Sequence, residues 1–198
     1  MLPATALFLV LLLALHLADP EAWEKPLSLF RDGPHPAAGY ALFGLLLAVG
    51  GLHVQAYYRA GRVRQVWLPA FALALLAVVA VTPSWGEAHL AAAFALLAVV
   101  FGTYAGRLWA VRSPWLFAHL AAPVAILLAA VGHDALTYGV WQKGLILYFL
   151  LAVNLDALLI SGRLSLPGPD DFRRAKRRRT ATYSPRVIWR RPDRPPVG

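Results

Sequence analysis

Apolar residues occur in six long runs, and the charged residues are concentrated in the stretches between them. The runs cover residues 2–17, 37–57, 66–81, 88–108, 114–131 and 140–160. About 20 apolar residues in a helix cross the roughly 30 Å hydrocarbon layer of a bilayer. Because backbone polar groups in lipid must be satisfied within the chain itself, such runs are typical of transmembrane helices. The pattern predicts an all-α, polytopic membrane bundle of six helices.

Two further expectations concern the first apolar run and the segment that follows it. Residues 18–36 contain several prolines and charged side chains, which together predict a loop. The run 2–17 is apolar from its start and has no basic residue before it, so it differs from a secretory signal peptide. This favours a retained helix, while cleavage would leave five spans.

The distribution of arginine in the short links predicts the orientation. Arg59, Arg62 and Arg64 lie in the link that follows the second run, and Arg107 and Arg112 flank the link after the fourth run. The link between the third and fourth runs contains no Lys or Arg. Basic residues in short links favour the cytoplasmic side. We therefore expect six spans with both termini in the cytoplasm.

Composition agrees with a membrane protein, since 59% of the residues are apolar and the mean hydropathy is +0.57. The net charge of +9 comes mostly from residues 162–198, which hold 11 basic and three acidic residues. The sequence thus predicts two parts: a bundle over 1–161 and a basic, Pro/Arg-rich, disordered cytoplasmic tail over 162–198. The absence of cysteine excludes disulfides and thiolate metal sites. Few lysines beside many arginines, alanines and leucines are typical of a GC-rich bacterial genome, so the expected location is the bacterial cytoplasmic membrane.

The tail suggests a partner at the membrane surface. Basic side chains near an anionic leaflet are attracted to its head groups. The residues expected to contact anionic lipid are Arg173, Arg174, Lys176, Arg177, Arg178 and Arg179. Nucleic acid is disfavoured as a partner for a polytopic chain. A membrane protein partner or a second copy of the chain remains open.

Three stretches carry a resemblance to a known family. They are LSLFRDGPHPAAGYALFGLLLAVGGLH at 27–53, VTPSWGEAHLAAAFALL at 81–97 and YGVWQKGLILYFLL at 138–151. Together they resemble the six-helix membrane proteins called the domain of unknown function 998 family, over about residues 5–160. The resemblance matches Ser28, His89, Gln142 and Lys143 to family positions, with Lys143 where arginine is more familiar. It implies the topology but no reaction, because the family has no assigned activity.

Five polar residues are predicted to lie inside the membrane, toward its inner side: His53, Tyr57, His119, Asn154 and Asp156. Ionisable side chains in hydrocarbon cost several kcal/mol, so they are expected to face the bundle interior. The functional alternatives are a proton relay, a ligand pocket or a haem held by two histidines. The structural alternative is hydrogen bonding between helices. Asn154 lies two residues from Asp156 and therefore points to another side of its helix, where it is expected to bond a neighbouring helix.

A second set of polar residues lies toward the opposite face: His35, His89, His133 and Asp134. Imidazole and carboxylate groups bind divalent metals when three or four converge. No H-E-x-x-H spacing, nucleophile elbow or nucleotide-binding loop is present in the sequence. We expect a non-enzymatic membrane protein that binds a lipid or a partner and needs no cofactor. The alternatives are a small proton-coupled transporter using His53, His119 and Asp156, or a haem or metal-binding subunit.

Overall fold

The structure is a computed structural model, and it describes residues 1–19, 21, 25–33, 35–83, 86–132 and 138–164. Within these ranges all regular secondary structure is helical, as the sequence predicts. The helices are α1 (Leu2–Ala18), α2 (Leu27–Asp32), α3 (Pro36–Arg59), α4 (Trp67–Val81), α5 (Glu87–Ala110), α6 (Trp115–Gly132) and α7 (Tyr138–Ile160). A 3₁₀ turn, Val63–Gln65, precedes α4.

The short helix α2 corrects the prediction of a continuous loop over residues 18–36. Leu27 and Phe30 are three residues apart, so they share one face of the helix, and each is 1% exposed. Pro26 precedes the first turn, where its missing N–H costs nothing, and Gly33 ends the helix. The prediction was wrong because it relied on the prolines and charged residues of this segment. The spacing of Leu27 and Phe30, which is typical of one helical turn, is too short a pattern to outweigh them.

Several helices have the length and composition of membrane spans. Four described segments qualify: Pro36–Arg59, Val63–Val81, Glu87–Ala110 and Gly139–Ile160. The apolar segments Leu2–Ala18 and Trp115–Ile126 are shorter. Large apolar side chains such as Leu13, Phe94 and Phe117 are exposed, which would be costly in water and is normal in lipid. The chain is therefore a helical membrane protein.

Helix α7 lies at the centre of the bundle. It packs against α3, α5 and α6, while α3 also contacts α1, α2 and α4. In its most apolar 18-residue window α7 is 56% buried, compared with 28–33% for the other three long spans. Polar side chains on α7, among them Lys143, Asn154 and Asp156, are therefore buried within the bundle.

Short links place the helix ends in two groups. The link after α3 includes Gly61, whose φ of +67° suits a residue without a side chain and lets the chain reverse into α4. One end of the bundle holds six of the described arginines, and we call it the arginine-rich end: Arg59, Arg62, Arg64, Arg107, Arg112 and Arg163. The opposite end carries α2, and we call it the α2 end.

Candidate functional site

A buried carboxylate, that of Asp156, lies one turn before the end of α7 and is 2% exposed. Its Oδ2 accepts a hydrogen bond from Nε2–H of His53, with an N–O distance of 2.9 Å. The same oxygen accepts a hydrogen bond from the hydroxyl of Tyr57 at 2.8 Å. His53 and Tyr57 are four residues apart on α3, so they approach Asp156 from one helix face.

Arg107, in the last turn of α5, provides the opposite charge. Its Nε forms an ion pair with Oδ1 of Asp156. Its Nη2 donates to the hydroxyl of Tyr57 at 2.7 Å, and the guanidinium carbon lies 5.1 Å from the Tyr57 ring centroid. A longer contact of 3.4 Å joins Nη2 to Oε1 of Gln65. We call His53, Tyr57, Arg107 and Asp156 the charged centre; it ties α3, α5 and α7 together.

The other two residues of the predicted intramembrane set, His119 and Asn154, have contacts outside the charged centre. The ring of His119 stacks on Phe101 and Tyr148, and its Nε2 donates to the Phe101 carbonyl at 3.1 Å. Its Nδ1 also contacts the Tyr148 hydroxyl. Asn154 instead donates from Nδ2 to Oγ1 of Thr5 at 2.9 Å, which links α7 to α1. The structure thus brings His53, Tyr57 and Asp156 together and gives His119 and Asn154 different partners.

Arg107 was missed as a site residue, because its position near a link was used only to predict orientation. A signal was present in the sequence. The buried face of α5 repeats every four residues through Leu96, Val100, Tyr104 and Leu108. Arg107 lies three residues after Tyr104, so the helical period already places it beside that face.

The space around the charged centre is small. A cavity of about 10 Å³ touches His53, Tyr104 and Asp156, and its remaining wall is mostly apolar. That volume corresponds to roughly one water molecule. The carboxylate has donors from two neighbouring helices, and the adjacent cavity is too small for an organic substrate. In this arrangement the charged centre connects α3, α5 and α7.

A second polar assembly holds α2 in place at the α2 end. Oε1 of Gln142 accepts a hydrogen bond from the backbone N–H of Leu27 at 2.7 Å. The ammonium of Lys143 donates to the carbonyl of Lys25 at 2.7 Å and lies 5.7 Å from the Phe30 ring centroid. The two residues matched by the family resemblance near the start of α7 therefore anchor the N-terminal side of α2.

Arg31 anchors the other side of α2. Its guanidinium donates from Nη1 to the Ala80 carbonyl at 2.6 Å and from Nη2 to the Thr82 carbonyl at 2.8 Å. These acceptors lie at the C-terminal end of α4, where helical carbonyls lack partners in their own helix and carry partial negative charge. The cation therefore stabilises the end of α4 and holds α2 across the bundle.

Below α2 lies an apolar depression with a volume of about 90 Å³; we call it the apolar pocket. It lies between α5 and α7, and its wall includes Leu27, Leu76, Ala93, Phe94, Gln142 and Phe149. Phe94 is 58% exposed, and Leu90, Leu97 and Ile146 on the same wall are only half-buried. The pocket therefore opens sideways, toward the lipid.

The predicted metal ligands do not form a site within the described part of the chain. Nε2 of His35 lies 3.8 Å from Oδ2 of Asp19, and Nδ1 of His89 lies 3.4 Å from Oγ1 of Thr82. His133 and Asp134 lie outside the described residues. Among the residues that are described, no group of three His, Asp or Glu side chains converges.

Two further sets of predicted residues lie outside the described part of the structure. The side chain of Ser28 lies outside the described part of the structure, although its backbone belongs to α2. Residues 165–198 are also outside it, and with them the predicted lipid-contact residues Arg173, Arg174, Lys176, Arg177, Arg178 and Arg179.

Comparisons with protein-family models, curated proteins and solved structures found no match to this chain. The resemblance to the domain of unknown function 998 family therefore stays a prediction.

Proposed function

We propose that this protein is a non-enzymatic, multi-pass protein of the bacterial cytoplasmic membrane that binds the hydrocarbon chain of a lipid in the apolar pocket. In this proposal α1 and α3–α7 form six spans, both termini are cytoplasmic, and the arginine-rich end faces the cytoplasm. Membership of the domain of unknown function 998 family is part of the proposal, and it is supported by the resemblance of residues 27–53, 81–97 and 138–151 to that family.

The apolar pocket is the observation that carries the proposed function. Its volume of about 90 Å³ is smaller than a cavity of roughly 150 Å³ that accepts benzene. A slender occupant that extends out of the pocket fits this space, whereas a compact ring system does not. The end of a hydrocarbon chain has this shape, and the lipid-facing opening supplies it directly from the bilayer.

The chemistry of the pocket wall supports the same ligand. Gln142 is the polar amide on an otherwise apolar or aromatic wall, and its carbonyl oxygen already accepts a hydrogen bond from Leu27. An apolar ligand gives up no hydrogen bonds when it leaves its surroundings and contacts such a wall. A polar ligand would have hydrogen-bonding groups without partners there. The pocket therefore favours hydrocarbon over a polar solute.

The charged centre has a supporting role in this proposal. It joins the ends of α3, α5 and α7 at the arginine-rich end, and the apolar pocket separates α5 from α7 nearer the α2 end. The ion pair and hydrogen bonds of the charged centre fix the positions of these three helices relative to one another at that end. The ion pair thereby maintains the shape of the pocket without contacting the ligand.

Filling the pocket should prevent lipid binding. We expect Ala93→Phe to place a ring into the apolar pocket, because Ala93 is half-buried and forms part of its wall. The probe is palmitic acid that carries a photoreactive diazirine near the end of its chain, added to the full-length protein in detergent. The wild-type protein should be crosslinked on peptides from α5 and α7, and Ala93→Phe should lower that yield about tenfold.

Ala91→Phe is the matched control. Ala91 lies two residues away on the exposed side of α5, so the added ring meets lipid or detergent. Its crosslinking should equal that of the wild-type protein. Equal yields in all three proteins, or crosslinks scattered over every helix, would refute a chain-binding site in the apolar pocket.

A further inference from the structure

A groove separate from the apolar pocket lies at the arginine-rich end, between α1, α3 and α7; we call it the basic groove. Its volume is about 670 Å³, within the roughly 300–1,000 Å³ that is common for ligand sites. Its wall includes Leu2, Leu52, Arg59, Leu158, Ser161 and Arg163. The groove is large enough for a polar head group together with part of an apolar chain.

Two arginines line this groove. Arg59 is the last residue of α3, and Arg163 follows the end of α7. Both side chains are exposed, and among the described residues neither guanidinium forms a hydrogen bond or an ion pair. No described residue that lines the groove is acidic. Two guanidinium groups without a neutralising carboxylate attract an anion, and their planar donors match the oxygens of a phosphate.

The apolar part of the wall distinguishes a lipid from a soluble anion. Leu2 of α1 is 60% exposed and Leu52 of α3 is 37% exposed, and both lie along the groove. The helices that carry them run from the arginine-rich end into the apolar layer. A ligand with a charged head and hydrocarbon chains satisfies both parts of the wall, whereas a free phosphate contacts only the arginines.

We infer that the basic groove binds an anionic phospholipid, whose phosphate contacts Arg59 and Arg163 and whose chains lie along α1 and α3. This site is independent of the proposed function, because the apolar pocket shares no wall residue with the basic groove and lies nearer the other end of the bundle. The two proposals can therefore fail separately.

The test is native mass spectrometry of the full-length, detergent-solubilised protein with added phosphatidylglycerol. We expect the double variant Arg59→Gln/Arg163→Gln to bind phosphatidylglycerol about 100-fold more weakly, because removing each charge-assisted hydrogen bond weakens binding roughly tenfold. Arg59→Lys/Arg163→Lys should recover part of the affinity, since lysine still provides positive charge but without the paired donors of arginine. Phosphatidylcholine should bind the wild-type protein more weakly than phosphatidylglycerol.

The matched control is Arg62→Gln/Arg64→Gln, which removes two exposed charges from the same end of the bundle and leaves the groove intact. It should bind phosphatidylglycerol like the wild-type protein. Equal weakening in both double variants would show general charge attraction and overturn the proposal. Displacement of the lipid by an equal concentration of soluble glycerol phosphate would also overturn it, because the groove would then be a site for a free phosphate.

Discussion

Arg107→Met is expected to destabilise the protein by about 3–5 kcal/mol, the largest effect of any single substitution proposed for this protein. The change leaves the carboxylate of Asp156 buried, at 2% exposure, without its ion-pair partner. It also removes the donor to the Tyr57 hydroxyl, while methionine keeps most of the side-chain volume. The free energy of unfolding in mixed micelles measures the destabilisation.

A second variant separates the effect of the buried charge from the effect of altered packing. Arg107→Met/Asp156→Leu removes both charges, so we expect it to be more stable than Arg107→Met alone. Arg64→Met removes an exposed arginine from the same end and should change the stability by less than about 0.5 kcal/mol. If Arg107→Met were as stable as Arg64→Met, the charged centre would not hold the three helices together.

Gly39→Ala is expected to displace α2 from the bundle. A Cβ at this position on α3 would lie 2.7 Å from the Cα atom of Arg31, closer than two such atoms can approach. Because the obstacle is backbone, α2 must move, and overpacking of this kind typically costs about 1–3 kcal/mol. Movement of α2 also breaks the contacts of Arg31 with the end of α4.

Limited proteolysis of the full-length protein in detergent measures this effect. Gly39→Ala should be cut faster than the wild-type protein within residues 19–35. Gly44→Ala is the control on the same helix, since a Cβ there meets no atom within 4 Å. Alanine improves a helix interior relative to glycine by up to about 1 kcal/mol, so this control should be as stable as the wild-type protein or slightly more stable. Equal cleavage of both variants would contradict the close contact of α2 with α3.

The helices were predictable because each is long and apolar over nearly its whole length. The predicted runs 37–57 and 88–108 became α3 and α5, with ends shifted by no more than two residues. Lipid makes this signal strong, since it requires apolar residues on every exposed face and backbone bonds within the helix. Helix α2 has only six residues, and its two buried apolar side chains give no periodic signal of comparable length.

The charged centre was predictable only in part. Depth along the predicted helices was sufficient to group His53, Tyr57 and Asp156. Depth gives no rotation about the helix axis, and rotation decides that His119 contacts Tyr148 while Arg107 contacts Asp156. An arginine near a link can either favour the cytoplasmic side of the membrane or form an ion pair inside the bundle. The sequence alone does not distinguish these two roles for Arg107.

The anchoring of α2 depended on contacts between residues far apart in the sequence. Gln142 and Lys143 were prominent in the sequence only through a resemblance. Their contacts with Leu27 and Lys25 span 115 and 118 residues, which local periodicity does not encode. The apolar pocket could not be predicted from the sequence for the same reason, since its wall combines side chains from α2, α3, α4, α5 and α7.

The most direct test of the account is the membrane sidedness of the two ends of the bundle. The sequence contains no cysteine, so a thiol-reactive label attaches only at a single introduced cysteine and reports whether that position is accessible. Val63→Cys and Val111→Cys probe exposed positions at the arginine-rich end, and Glu21→Cys and Glu87→Cys probe the α2 end. The label is a membrane-impermeant maleimide applied to intact bacterial cells. We predict labelling of Glu21→Cys and Glu87→Cys in intact cells, and of the two valine variants only after permeabilisation; labelling of either valine variant in intact cells would contradict the account.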